Sequence, residues 1–230
     1  MICTSGLTLI VALTTPLFEG SAGELELPRG ISITSESKTH VHANISELRT
    51  EDFPALARIH ALFTVYFRGH GATDEKLKAL AQLRFTNLSC VVFTDAPLVT
   101  DKGIEYLLQI SSVTNLGLRG MSISDTACVT LATKMRLHGV NMPKCTNVTL
   151  HGLLTIAQSK TIDSLGFSVG KMNQNDLIEI ISKSAPQLAR MDVDMDGSSE
   201  ALLDLPALRQ AAEAKMIKLF AVRNKQVRRL

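Results

Sequence analysis

The chain has no tryptophan and only two tyrosines, and aromatic residues make up 4% of its 230 positions. Surfaces that stack bases or sugars are built from such rings, so this composition speaks against them. An excess of one charge is missing too: 24 Lys and Arg stand against 22 Asp and Glu, a formal net charge of +2. That balance gives no field to draw nucleic acid or an anionic membrane, and no nucleic-acid partner is expected. No apolar run reaches the roughly 20 residues needed to cross a bilayer, so no membrane insertion is expected either. Cysteine is sparse, at Cys3, Cys90, Cys128 and Cys145, with spacings that match neither a zinc motif nor a redox pair. What is plentiful is aliphatic side chain, with 45% of positions hydrophobic, enough for one large core or a long stack of small ones.

Near the N-terminus, Gly6 to Leu13 (GLTLIVAL) form a short apolar run. Gly20-Ser21-Ala22 then place small residues at the minus-three and minus-one positions of a cleavage after Ala22. This looks like a secretory signal peptide, although the stretch before the run carries no Lys or Arg. We read residues 1–22 as a signal peptide, 23–61 as an N-terminal cap or degenerate first repeat, and 62–230 as repeats. A secreted or periplasmic location follows, with the cytoplasm as the alternative, since cysteines used as buried apolar residues suit a reducing compartment. Export predicts a mature N-terminus at Gly23 by N-terminal sequencing, and a chain retaining Met1 would overturn it.

The decisive signal is internal repetition. On a Leu-x-x-Leu-x-Leu skeleton the chain gives seven apolar triplets: Leu62/Val65/Phe67, Phe85/Leu88/Cys90, Val113/Leu116/Leu118, Leu137/Val140/Met142, Ile162/Leu165/Phe167, Leu188/Met191/Val193 and Met216/Leu219/Ala221. Their central residues are 23, 28, 24, 25, 26 and 28 residues apart. Between triplets, Thr73-Asp74, Thr100-Asp101 and Ser124-Asp125 are each followed by apolar residues four and seven positions after the hydroxyl residue. That is the pattern of a short capped helix, with the hydroxyl accepting from a first-turn amide and the Asp opposing the helix dipole. Thr149, Gln174 and Ser198 open similar stretches. Each unit is then a strand, a turn and a helix, which bury their apolar edges only by stacking on the next unit.

The segments LVTDKGIEYLLQI and SISDTACVTLATK resemble the Thr-Asp-x-Gly-Leu units of bacterial leucine-rich-repeat arrays and the cysteine-containing repeats of F-box proteins. The resemblance covers about residues 40 to 230. It implies an α/β fold, a right-handed leucine-rich-repeat solenoid or horseshoe with parallel strands on the concave face and helices on the convex face. The buried Asn or Cys of that family falls on His70, Phe93, Met121, Cys145, Gly170, Asp196 and Asn224, so only Cys145 and Asn224 conform. The unit from Phe85 to Ser112 reads as about four residues longer, with a candidate loop insertion at Thr94 to Leu98.

Catalytic patterns are not found, and neither an enzyme activity nor a cofactor is expected. His40 and His42 form a spaced pair without a third ligand. Asp192, Asp194 and Asp196 alternate with Met191, Val193 and Met195, which reads as a strand with its acids outward rather than a calcium loop. The expected function is non-enzymatic recognition of another protein or polymer on the concave face, through Tyr66, Arg68, Asn87, Asn115, Arg119, Asn141, Arg190, Asp192, Asp194 and Lys218. The alternative is a substrate-recognition subunit of an SCF-type ubiquitin ligase, as in F-box proteins. Lys215, Lys218, Arg223, Lys225, Arg228 and Arg229 also make the C-terminal end basic, a candidate surface for self-association or an acidic partner. On this reading the last unit exposes its apolar side unless the aliphatic stems of these charged side chains lie over it or a partner docks there.

Overall fold

A computed structural model describes residues 29–36, 40–59, 61–134, 136–195, 203–223 and 226–230. The expected signal peptide, Ser198, Leu202, Asp196, Asn224 and Lys225 lie outside these residues. Ten strands form one sheet whose spatial order is the order in sequence. They are β1 (Ser32–Glu36), β2 (Val41–Asn44), β3 (Leu62–Arg68), β4 (Cys90–Thr94), β5 (Asn115–Arg119), β6 (Gly139–Met142), β7 (Ser164–Ser168), β8 (Arg190–Asp194), β9 (Lys218–Arg223) and β10 (Gln226–Arg229). From β2 to β9 all neighbours run parallel, while β1 and β10 pair antiparallel at the two ends. The connections are the 3-10 helix Thr50–Arg58 and the α-helices α1 (Asp74–Ala81), α2 (Asp101–Leu107), α3 (Asp125–Lys134), α4 (Leu150–Ala157), α5 (Gln174–Lys183) and α6 (Leu205–Ala214). The fold is thus α/β, a mostly parallel sheet alternating with helices.

Alternation along each strand sends one set of side chains to the helices. Leu116, Leu118, Leu165, Phe167, Met191 and Leu219 are at most 3% exposed, as the triplets require, and lie in register across the parallel ladder. With Leu77, Ile104, Leu131, Ile156 and Ile180 from the helices they make one continuous core.

Two triplets need correction. Leu88 satisfies both Phe85-x-x-Leu88-x-Cys90 and Leu88-x-x-Val91-x-Phe93, and the sheet uses the second: Val65 and Phe67 face Val91 and Phe93. Phe93 is fully buried and stacks on Phe67 with ring centroids 5.3 Å apart, whereas Phe85 is half-buried. The core positions Val65, Val91, Leu116, Val140, Leu165, Met191 and Leu219 are then 26, 25, 24, 25, 26 and 28 residues apart, and the insertion expected at Thr94 to Leu98 disappears. Cys90 is accordingly not a core residue but is half-buried on the opposite face. At the last unit Ile217, 6% exposed, takes the place expected of Met216, which is 87% exposed.

The helix starts follow the cap pattern. Thr73, Thr100, Thr149 and Asn173 accept from first-turn amides with their side chains, and Ser124 Oγ accepts from Thr126 N–H. Asn173, not Gln174, caps α5, and its partner Asp176 closes a capping box. For α6 the cap is Asp204. Each such cap contributes about 1 kcal/mol.

The Asp after each hydroxyl does more than oppose a dipole. Asp74, Asp101 and Asp125 reach to the next unit and accept the backbone N–H of Thr100, Ser124 and Thr149 at 3.0, 2.7 and 2.8 Å, with the three hydroxyls donating to the second carboxylate oxygen. One carboxylate therefore pins the start of the neighbouring helix. At Gly103 and Gly152 a methyl group would run into the carboxylates of Asp74 and Asp125, whereas Ala127 stands in the same position after Ser124, where Asp101 makes the same pair of bonds. The chain of acids begins at Asp74, where Lys76 stands in the glycine position and donates instead to Ser46 C=O at 2.8 Å.

Strands β3 to β7 each leave through a left-handed residue: Gly69, Asp95, Gly120, Lys144 and Gly170 have φ between 51° and 64°. Lys144 carries a Cβ into a region that costs roughly 1 kcal/mol for a non-glycine residue. Lys144→Gly should raise the melting temperature by about 2–4 °C, and a fall in thermal melts would refute this origin of the turn.

Both sheet ends differ from a bare repeat. Segment 29–61 supplies β1, β2 and the 3-10 helix. At the other end β10 folds back onto β9, Leu230 N–H bonds Leu219 C=O at 2.9 Å and Leu230 packs against the core.

Candidate functional site

The helices pack in one layer against the buried side of the strands. The other face of the sheet is uncovered among the described residues. A parallel sheet is normally buried on both faces, so an open one with polar side chains is the prime candidate surface. The register sets it out in rows: Cys90, Asn115, Gly139, Ser164, Arg190 and Lys218 in the first, Val92, Gly117, Asn141, Gly166, Asp192 and Phe220 in the second. Tyr66 heads the second row, and Arg68, Thr94 and Arg119 head the third, which Ser168, Asp194 and Val222 complete.

Of the residues expected to bind, Tyr66, Arg68, Asn115, Arg119, Asn141, Arg190, Asp192, Asp194 and Lys218 therefore share one face. Asn87 does not. It lies in the turn before β4, beside a cleft of about 200 Å³ formed with Ile59, Leu62 and Phe85, because the mistaken triplet placed the strand three residues early. Cys90, Val92 and Thr94 are the outward residues of β4 that were missed. The evenness of the corrected spacing was the signal that could have found them.

The centre is flat for a specific reason. Asn115 and Asn141 lean sideways onto Gly139 and Gly166 of the next strand, where a Cβ would strike their side-chain oxygens. Asn115 is held by donating to Thr114 Oγ1 at 2.9 Å, and Thr114 Oγ1 meets Ser89 Oγ at 2.8 Å. Two planar amides, each with a donor and an acceptor, thus lie on glycine in the middle of the face.

Toward the C-terminal end the face becomes charged. Arg190 grips Asp192 through Nε at 2.9 and 3.1 Å and lies over the Phe220 ring at 4.4 Å. The hydrogen bond to Asp192 raises the guanidinium pKa, against an opposing effect of burial. Asp194 accepts from Ser168 Oγ at 3.2 Å. Arg119 Nε lies 3.9 Å from Asp95, at the edge of ion-pair range.

His40 and His42 pack edge-on against Phe63, with ring centroids 4.3 and 6.0 Å away. Among the described residues no three His, Cys, Asp or Glu come together to hold a metal, and no helix is long and apolar enough to cross a membrane. Cys128 and Cys145 are buried free thiols, whose pKa burial pushes up to about 12 and about 11.

That burial has a consequence in alkali. A thiol held above its unfolded pKa keeps its proton longer when folded, so stability falls as pH rises from about 8.5 toward 11. Cys128→Ala should flatten this fall in thermal melts between pH 8 and 10.5. An unchanged slope would assign it to other groups. No protein-family model matches the chain, and no curated protein matches it in sequence.

Proposed function

We propose that the chain is a leucine-rich-repeat solenoid of the horseshoe type, without enzymatic activity, that recognises another protein or polymer on the open face of its parallel sheet, its concave side. The observation that carries this reading is that open face: rows of polar side chains on strands fixed by a common core, with Asn115 and Asn141 lying over glycine. Rigid strands hold such groups at a fixed spacing, which lowers the ordering cost of binding. Side-chain amides match the donor and acceptor of a polypeptide backbone, so an extended segment crossing the strands is the ligand the centre suits. Arg68, Arg119 and Lys218 flank it with positive charge, and Asp192 and Asp194 with negative.

The reading is tested by selecting ligands from a random peptide-display library on the immobilised protein. Ligands of the native protein should lose at least tenfold in affinity for Asn141→Arg, which raises a bulky cation at the centre of the face. They should keep their affinity for Thr126→Arg on exposed α3. Ligands indifferent to Asn141→Arg would overturn the assignment.

A further inference from the structure

The two outer strands of the sheet are not equivalent. β1 is interrupted by a register shift between Ile33 and Ser35, and an irregularity of this kind discourages further pairing. β10 pairs with β9 without a break, and all four of its residues are exposed. Because Leu230 donates its N–H to Leu219, the alternation of an antiparallel ladder turns the backbone groups of Arg228 and Gln226 toward β9. Those of Val227 and Arg229 turn toward the outer edge, which no strand pairs among the described residues. Cross-strand partners share a face, so the side chains of Val227 and Arg229 lie with Val222 and Phe220 on the open side of the sheet. Val227 is 55% exposed there.

Lys218 and Arg229 flank this apolar strip with positive charge, while on the β8 side Asp192 and Asp194 lie beside Phe220 and Val222, Asp192 paired with Arg190, so the positive charge lies toward the outer edge. A second β10 laid alongside would set guanidinium against guanidinium, which disfavours self-pairing. We propose that β10 is an acceptor edge for an acidic polypeptide in extended conformation, which adds a strand beside Val227 and Arg229 with, on the open side of the sheet, an aliphatic side chain against Val227 and, two residues on, a carboxylate against Arg229. This mode supplies affinity through main-chain bonds and selectivity through side chains. It does not depend on the open face binding a ligand of its own.

The test uses a fluorescent six-residue Glu/Val peptide, Val-Val-Glu-Glu-Val-Val, which offers valine and glutamate two residues apart on each face, and its Lys/Val counterpart, Val-Val-Lys-Lys-Val-Val, read by anisotropy on the full chain. The Glu/Val peptide should bind and the Lys/Val peptide should not. Arg228→Glu/Arg229→Glu should weaken the first at least tenfold and admit the second. Two further Glu/Val peptides carry N-methyl groups, one at every odd position and the other at every even position. Strand addition requires at least one of them to lose tenfold or more, because one edge of the peptide then has no N–H to donate. Undiminished binding of both would show charge attraction alone and overturn the proposal, as would failure of the unmodified peptide to bind. If the double variant does not fold, the peptide series on the native protein still decides.

Discussion

Replacing Phe93 by alanine is expected to cost about 3–5 kcal/mol of unfolding free energy, the usual range for truncating a buried aromatic. The ring is fully buried and stacks on Phe67 at the junction of two neighbouring units, so the cavity opens between strands and cannot be filled from solvent. Phe85→Ala should cost less than half as much, because that ring is half-buried at the rim of the cleft below β4. Cys90→Ala, on the open face, should stay near 1 kcal/mol or below. Denaturant melts of the three variants decide the register of the second unit. If Phe85→Ala proves the most damaging, β4 has been placed three residues too late.

The pairing of Asp125 with Gly152 should show the largest coupling in the molecule outside the apolar core. Asp125→Ala removes the acceptor of the Thr149 N–H and hydroxyl, at about 1–3 kcal/mol for charge-assisted bonds. Gly152→Ala drives a methyl group into the Asp125 carboxylate, with Cys128 Sγ at 3.0 Å behind it. Overpacking of that kind costs about 1–3 kcal/mol, against roughly 1 kcal/mol gained from helix propensity. In the Asp125→Ala background the obstruction is gone, so Gly152→Ala should become neutral or stabilising. A double-mutant cycle should therefore give a coupling of about 1–3 kcal/mol. Additive effects would mean that the glycine is not there to make room for the acid.

Most of the fold was legible because each unit repeats the same demand, an apolar pair on one face of a strand and a capped helix to cover it. Leu116 and Leu118, or Leu165 and Phe167, admit one register, and Thr100-Asp101 marks a helix start by local chemistry alone. The register failed at Leu88, which serves two overlapping triplets. It failed again at Met216, an apolar residue that the chain turns outward at φ 57°. The ladder of Asp74, Asp101 and Asp125 was visible only as caps, since a pattern within one unit carries no information on where a carboxylate reaches in the next. The open face was legible as alternation, and nine of its ten expected residues share it. The leaning of Asn115 and Asn141 over glycine was not, because it depends on which residues the stacking brings side by side. The β10 hairpin was missed since Gln226 to Arg229 show only a basic, unalternating composition.

The claim on which all this rests is that one strand per unit is added in sequence order, so that distance along the sheet grows with unit number. Paired spin labels on the third outward row measure it directly, one fixed at Arg68 on β3 and the other moved to Arg119 on β5, Ser168 on β7 or Val222 on β9. At about 4.8 Å per strand, two, four and six steps give about 10, 19 and 29 Å between the backbone positions. Electron paramagnetic resonance distances that rise in that order are the predicted result; distances that fail to grow from β5 to β9 would contradict the stacked parallel sheet and the open face that depends on it.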